Sequence, residues 1–445
     1  MSAFLAQIHK LNPQINAIVA KLDDEACLAL ADRADQALSA GAPVGPLHGL
    51  PTAAKDLEPA VGFPQTKGSP IHRDLMPDAD SVLVERIRRS GAILIGKTNV
   101  PEFGMGSQTY NTVYGTTVNP YDHTKTAGGS SGGAAAALAT GMLPIADGGD
   151  LGGSLRNPAN FNNIVALRPS VGLVPIAPTQ IPFVGVSTKG VMARSVADVA
   201  FGLSVVAGAD PRDAQSFASN PEAFAGPLQR DLKGVRVAWS IDLGGLPLDS
   251  RVRKVLEAQR QTFEDLGCIV EDACPEFGNV NDIFLTLRTW ASWTIYKDLL
   301  AQHRSKFKAD AIWDIESGAH LTGEDVGRAL VQQGQLLDRM RRFHEKYEFL
   351  VCAVNQVPPF DAAEPWPKSI DGVQMENYVA WMKTTYWIST TCCPAISVPA
   401  GFTDEGLPVG IQIVGRYRDD LNVLQCAHAF EQATGFGRRR PSGVL

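Results

Sequence analysis

Short apolar runs alternate along this chain with longer stretches in which apolar side chains return at helical spacing. Residues 3–40 read as two helices. The second, rich in Ala and Asp, runs from Asp23 to Ala40 and is stopped by Gly41-Ala42-Pro43. Asp80 is placed to cap a helix that runs to Ser90 and closes at Gly91, and Ala92-Ile93-Leu94-Ile95 follows as a short buried strand. Residues 104–135 are rich in Gly, Thr, Asn and Ser, the composition of a long ordered loop, and such loops often carry function. Within its end, Ala134 to Ala139 reads as a closely packed helix of small side chains. Leu143-Pro144-Ile145-Ala146 then resumes strand character.

After Pro169 the texture changes. Val235 to Trp239 reads as a strand. Val252, Val255, Leu256, Phe263 and Leu266 share a helical face that starts near Asp249 and stops at Gly267, and Cys268-Ile269-Val270 is the next strand. This is a βαβ unit, which predicts parallel pairing. Residues 280–348 read as helical, and Phe349 to Val354, Ala395 to Val398 and Val409 to Val414 as strands. Neither a repeat at fixed period nor a low-complexity segment interrupts the pattern. The expected fold is therefore one large α/β domain over residues 1–445, with a mixed, mostly parallel central sheet flanked by helices on both faces. Residues 10–200 form its catalytic core, 200–390 a more variable lobe that shapes the substrate pocket, and 390–435 strands and a helix that return to the core.

Composition narrows the classes. With 445 residues, 44% hydrophobic and 20% charged, the chain is an ordinary globular protein able to bury a large core. A net charge of −7 gives no electrostatic reason to expect nucleic acid or an anionic membrane as partner. The one basic run, Arg438-Arg439-Arg440, reads as a solvated tail. Seven cysteines without a C-x-x-C, and a start lacking a basic leader and apolar core, point to reduced thiols in the cytoplasm. No apolar run reaches membrane-spanning length. The eight histidines are scattered and none has metal-ligand spacing, His48 reading as structural, so neither a metal nor another cofactor is expected.

The candidate chemistry lies in two glycine-bracketed serines, Gly128-Gly129-Ser130-Ser131-Gly132-Gly133 and Gly152-Gly153-Ser154, and a lone lysine in an uncharged run, Leu50-Pro51-Thr52-Ala53-Ala54-Lys55. Serine needs a base to become a nucleophile, and glycine-rich backbone presents bare N–H groups to an oxyanion. One such cluster is ordinarily a tight turn, but a second placed directly after an apolar strand favours an active site. The apolar neighbours of Lys55 favour burial, which lowers an amine's pKa and lets the neutral form act as base. Two formal motifs fail on context. Gly91 to Thr98 fits G-x-x-x-x-G-K-[ST], but Ile93-Leu94-Ile95 reads as strand rather than phosphate-binding loop. Gly128 to Gly132 fits G-x-S-x-G, but the preceding Asn119 to Thr126 reads as turn-like, where that elbow requires a buried strand.

Taken in order, these segments resemble the amidase signature family of serine hydrolases. Gly45-Pro46-Leu47-His48-Gly49-Leu50-Pro51 leads to Lys55-Asp56, and Thr66, Gly68 and Ser69 follow. Gly96-Lys97-Thr98-Asn99-Val100-Pro101-Glu102-Phe103, Ala127 to Gly133, Gly149 to Arg156, Leu167 to Gly172, Pro394 to Gly401 and Gly406 to Gln412 complete the match. It is dense over 10–200, good over 390–432 and thin between. The resemblance implies a triad in which Ser154 is the nucleophile, Ser130 relays its proton, and Lys55 is the base, with a cis peptide between Gly129 and Ser130. It implies an oxyanion hole from the amides of Leu151, Gly152 and Gly153, a bracing role for Asp150 and Arg156, and hydrogen-bond support from Ser131. One departure is Gly149, where the family usually carries Thr before the aspartate, which implies a looser loop or a wider pocket.

Catalysis by this triad requires a neutral Lys55, so the rate should rise toward alkaline pH. All seven tryptophans lie beyond residue 238, and Tyr378 to Trp387 is aromatic and nearly uncharged. This segment reads either as core or as a wide apolar pocket for aryl or alkyl acyl amides. Family members that release ammonia from glutamine tend to carry an acidic residue here, and none stands between Asn377 and Ser389. The expectation is a small-molecule amidase of broad specificity, with carbamates (urethanes) and esters as further substrates. The alternatives are a glutaminase component of a larger amidotransferase and a non-catalytic scaffold. A homodimer is left open.

Overall fold

A computed structural model describes residues 1–444. Its centre is an eight-stranded sheet in the order Ile269–Asp272, Arg236–Trp239, Phe349–Ala353, Pro408–Val414, Ala395–Phe402, Val165–Arg168, Thr188–Ala193, Ile145–Asp150. One face is covered by the helices Val196–Val206, Ser250–Glu257 and Asp420–Thr434, which bury Val199, Leu203, Leu256, Leu424 and Phe430 against the strands. The other carries Arg156–Phe161 and, further out, Lys383–Thr390 and the long helices Val280–His303 and Gly323–Lys346, packed through Phe284, Leu287, Leu336, Met340 and Tyr386. This is the expected single α/β domain with helices on both faces. Among the described residues, no helix is long and apolar enough to cross a membrane.

The sheet is mixed, but its polarity corrects the expectation. Arg236–Trp239 runs parallel to Ile269–Asp272 and to Phe349–Ala353, as the βαβ pattern requires. The remaining neighbours pair antiparallel. The βαβ pattern governs that one region only. Ala395–Phe402 and Pro408–Val414 join through a tight turn at Thr403–Leu407, and two-strand hairpins are antiparallel by construction.

A smaller sheet carries the lysine of interest. Pro51–Lys55 runs parallel to Ile93–Thr98, with Lys55 opposite Thr98, and Ile18–Val19 pairs antiparallel with the other edge of Ile93–Thr98. Ile93–Thr98 is a fully buried strand through Gly96-Lys97-Thr98, so the sequence that fits a phosphate loop forms none.

Other local readings shift. Ser81, not Asp80, caps the helix Val82–Arg89; Asp80 instead accepts from the Val61 amide at 2.7 Å and pairs with Arg88 at 2.9 Å. The single helix expected between Asp249 and Gly267 is two, Ser250–Glu257 and Arg260–Asp265, with Asp249 capping the first. Asp122–Thr126 is a hairpin strand, of which only Thr126 is buried, rather than a turn. The elbow's requirement of a buried strand still goes unmet there.

Candidate active site

Lys55 ends its strand with a side chain 1% exposed. Its Nζ lies 2.9 Å from Ser130 Oγ, 2.8 Å from Ser131 Oγ and 3.5 Å from the Gly149 carbonyl oxygen. Among the described residues no carboxylate forms an ion pair with it; Asp147 reaches only its backbone amide, at 3.0 Å. Burial, and after it the charge of Lys189, pulls the Lys55 ammonium down to about 7 against the carboxylates of Asp147, Glu58 and Asp150. A neutral amine holds one lone pair and two protons, so it can accept from one of these hydroxyls while donating to the other.

Ser130 and Ser131 stand at the turn into the helix Gly132–Ala139. The Gly129–Ser130 peptide is cis. The carbonyl of Gly128 accepts from Thr109 Oγ1 at 2.7 Å and that of Gly129 from Ser107 Oγ at 2.6 Å, which pins the loop on both sides. Ser131 occupies the N-cap position without capping the helix, so its hydroxyl is left to Lys55. The helix approaches the small sheet closely because Gly133 has no side chain: a Cβ there would stand 2.3 Å from the Asn99 amide nitrogen.

Ser154 lies between the strand Ile145–Asp150 and the helix Arg156–Phe161. Its carbonyl accepts from the Ser131 amide at 3.2 Å, which brings the two serine turns together. Its Oγ makes no hydrogen bond with another described residue and opens on a cavity of about 220 Å³ shared with Lys55, Ser130, Leu151 and Gly152. The turn is fixed from below by Asp150. That carboxylate takes Arg156 Nη2 and the Gly153 amide, each at 2.9 Å, and Arg168 Nη1 at 3.2 Å, all in the dry interior. Burial opposes its charge, but Arg156 and Arg168 outweigh burial and hold the carboxyl well below the usual range. Gly153 therefore does not offer its N–H to the cavity; it donates to Asp150. Among the described residues the Leu151, Gly152 and Ser154 amides have no hydrogen-bond acceptor, and all three residues line the cavity.

Gly149 does not loosen a loop. It sits in regular strand pairing opposite Lys189, and a Cβ on it would meet Lys189 Cδ and Nζ at 3.6 Å. The space beside it is thus shared with a lysine that also lines the cavity and is paired with the buried Glu58. The tryptophans do not make the pocket. Trp381 is fully buried, stacks on Phe161 and meets Phe360 edge to face, whereas the apolar wall is built from Phe103, Phe284, Ile295, Tyr296 and Met382. A larger cavity of about 660 Å³, lined by Gln333, His344, Cys392 and Tyr417, contains none of the candidate catalytic groups.

Sequence reasoning missed Asp147, Lys189, Glu58, Arg168 and Arg288, all in or beside this site. Lys189 and Glu58 are far apart in sequence and sit in no motif. Arg168 stands in the quoted Leu167-Arg168-Pro169, where an arginine inside an apolar run is itself a sign of a buried counter-charge.

Comparison with known proteins agrees with this geometry. The amidase family model matches residues 1–424. An acylamidase of Rhodococcus erythropolis is 35% identical, over 100% of this chain and 93% of its own length. A component of the glutamyl-tRNA(Gln) amidotransferase of Thermosynechococcus vestitus is 31% identical, over 99% of this chain and 95% of its own length. Among solved structures, a bacterial aryl acylamidase of the amidase signature enzymes superposes with a TM-score of 0.90 at 28% identity, covering 98% of this chain and 93% of that one. The chain belongs to the amidase signature family, whose members hydrolyse amide carbon–nitrogen bonds.

Proposed function

We propose that this protein is an amidase that works through an acyl-enzyme on Ser154, with Ser130 as proton relay and Lys55 as base. The observation that carries this reading is a buried lysine with no ion-pair partner among the described residues, held to Ser130 and opening on the same cavity as the unpartnered Ser154 hydroxyl. Ser154 Oγ attacks the carbonyl carbon; its proton passes to Ser130, and the proton of Ser130 to Lys55. The amides of Leu151, Gly152 and Ser154 are the donors left to meet the oxyanion. As the C–N bond breaks, the Lys55 ammonium returns its proton through Ser130 to the leaving nitrogen, and water then releases the acid. The Ser154–Ser130 leg is open in this conformation, and catalytic hydrogen bonds commonly close only once substrate is bound.

The wall of Phe103, Phe284 and Tyr296 supports aryl amides as substrates, with carbamates and esters as accessible variants because the same attack serves all three. The test is a panel of anilides, urethanes and esters offered to the purified chain without ATP or a partner, with products identified by mass spectrometry. Release of amine and acid by the chain alone supports the reading. Turnover of glutamine only after a partner is added would assign it to the amidotransferase class. Full activity in Ser154→Ala would remove the nucleophile.

A further inference from the structure

We propose that Arg288 receives a carboxylate, so that the preferred substrates are amides carrying a carboxylate on the acyl chain or on the departing amine. This rests on the assignment of the cavity to Ser154. Arg288 lies on the helix Val280–His303, one turn beyond Phe284. A Cβ on Gly152 would stand 3.1 Å from Phe284 Cζ, so Phe284 touches the loop that would hold the oxyanion. Four residues along a helix are about 6 Å and return to the same face, and the Arg288 guanidinium carbon lies 6.0 Å from the centroid of the Phe284 ring.

The guanidinium is locked on one edge and open on the other. Nε donates to Asp314 Oδ1 at 2.6 Å and Nη2 to the Tyr378 hydroxyl, which itself donates to Asp314 Oδ1 at 3.0 Å. Ser292 Oγ donates to the second oxygen of Asp314 at 2.6 Å. Nη1 has no partner among the described residues, and Arg288 forms part of the cavity wall while only 12% exposed. Neutralising Asp314 accounts for Nε but leaves Nη1 without an acceptor, on a residue that lines the cavity. A cation held rigid by its own counter-ion, with donors left over, is preorganised for an anionic acceptor.

The rest of the cavity sharpens the class. Lys189 is a cation too, but Glu58 occupies it. Among the described residues the only carboxylate in the wall, Asp150, is engaged by Arg156 and Arg168. A substrate carboxylate therefore finds an open partner, while an ammonium group, as on an α-amino acid amide, finds none.

The Ser154→Ala protein separates binding from chemistry. By calorimetry it should bind N-phenylsuccinamate, or N-acetyl-para-aminobenzoate, about tenfold or more tighter than the isosteres in which an isopropyl group replaces the carboxylate, as expected for a hydrogen bond to a charged group. Which of the two acids gains tells whether the carboxylate belongs to the acyl or the amine side. In the wild-type enzyme the same preference should appear as a ratio of kcat/KM, and Arg288→Met/Asp314→Asn, which strands no buried charge, should bring that ratio close to one. Arg288→Lys, which keeps the charge beside Asp314, should retain part of it. Equal binding of acid and isostere by the Ser154→Ala protein, or a ratio unmoved in the double variant, overturns the proposal. Failure of a fluorophosphonate to label Ser154 in the wild type would sink the nucleophile instead, and the binding comparison would still decide the role of Arg288.

Discussion

Lys55 Nζ stands 2.9 Å from Ser130 Oγ in the protein interior, without an ion-pair partner among the described residues. An amine so placed is a base near neutrality rather than a fixed cation. Its pKa is drawn down to about 7, chiefly by burial. The protonated form cannot accept the relayed proton, so kcat/KM should rise with pH through an apparent pKa near 7 and then level. Lys55→Met should lower the rate by about 10²–10⁴-fold and abolish that limb. A pH–rate profile on a neutral anilide checks both.

Lys189 is the nearest lever on that base. Its charge lowers the Lys55 pKa, while Glu58, its ion-pair partner, raises it. Lys189→Met removes the first effect and takes from Glu58 its ion-pair partner, and the two consequences have the same sign. The alkaline limb should move to higher pH in this variant, with activity lost at neutral pH and recovered above it. An unmoved limb, or one moved to lower pH, would mean that Lys189 does not act on Lys55.

Gly153 is where the nucleophile turn tolerates least. Its φ is +116°, and a Cβ would fall 2.4 Å from Thr385 Oγ1, the hydroxyl that donates to the Gly152 carbonyl at 2.9 Å. Gly153→Ala must displace Thr385 or the turn itself. We expect a fall in kcat/KM comparable with loss of an oxyanion donor, about 10²–10³-fold, accompanied by a lower melting temperature.

Arg156 acts through Asp150, and its removal should register first as stability. Taking one partner from a buried ion pair costs about 3–5 kcal/mol. Arg168 remains beside Asp150, so Arg156→Met should fall at the low end of that range in urea denaturation. A change below what urea titration resolves would show that Arg168 alone satisfies the carboxylate.

Much of the site is legible in the sequence because its chemistry is local. The two Gly–Ser turns and Lys55 announce themselves by composition, and the apolar run around Lys55 foretells its burial. Asp150 and Arg156 belong to the same short segment and meet without help from the rest of the fold. What is not legible depends on residues brought together from distant segments. Lys189 meets Gly149 only through antiparallel strand pairing, and Arg288 enters the cavity only because the helix Val280–His303 lies over the nucleophile turn. The same limit explains the sheet: one βαβ unit is visible, but strand polarity elsewhere depends on connections that local periodicity does not encode. The tryptophans mislead for another reason, since a large apolar side chain serves a core as well as a pocket, and Trp381 serves the core.

The most direct test of the account is where a fluorophosphonate lands. The intact protein, treated with the probe and digested, should carry a single adduct on the peptide containing Ser154, formed faster as pH rises through 7 and greatly slowed in Lys55→Met. An adduct on Ser130, Ser131 or any other residue, or labelling of Ser154 at a rate indifferent to Lys55, would contradict it.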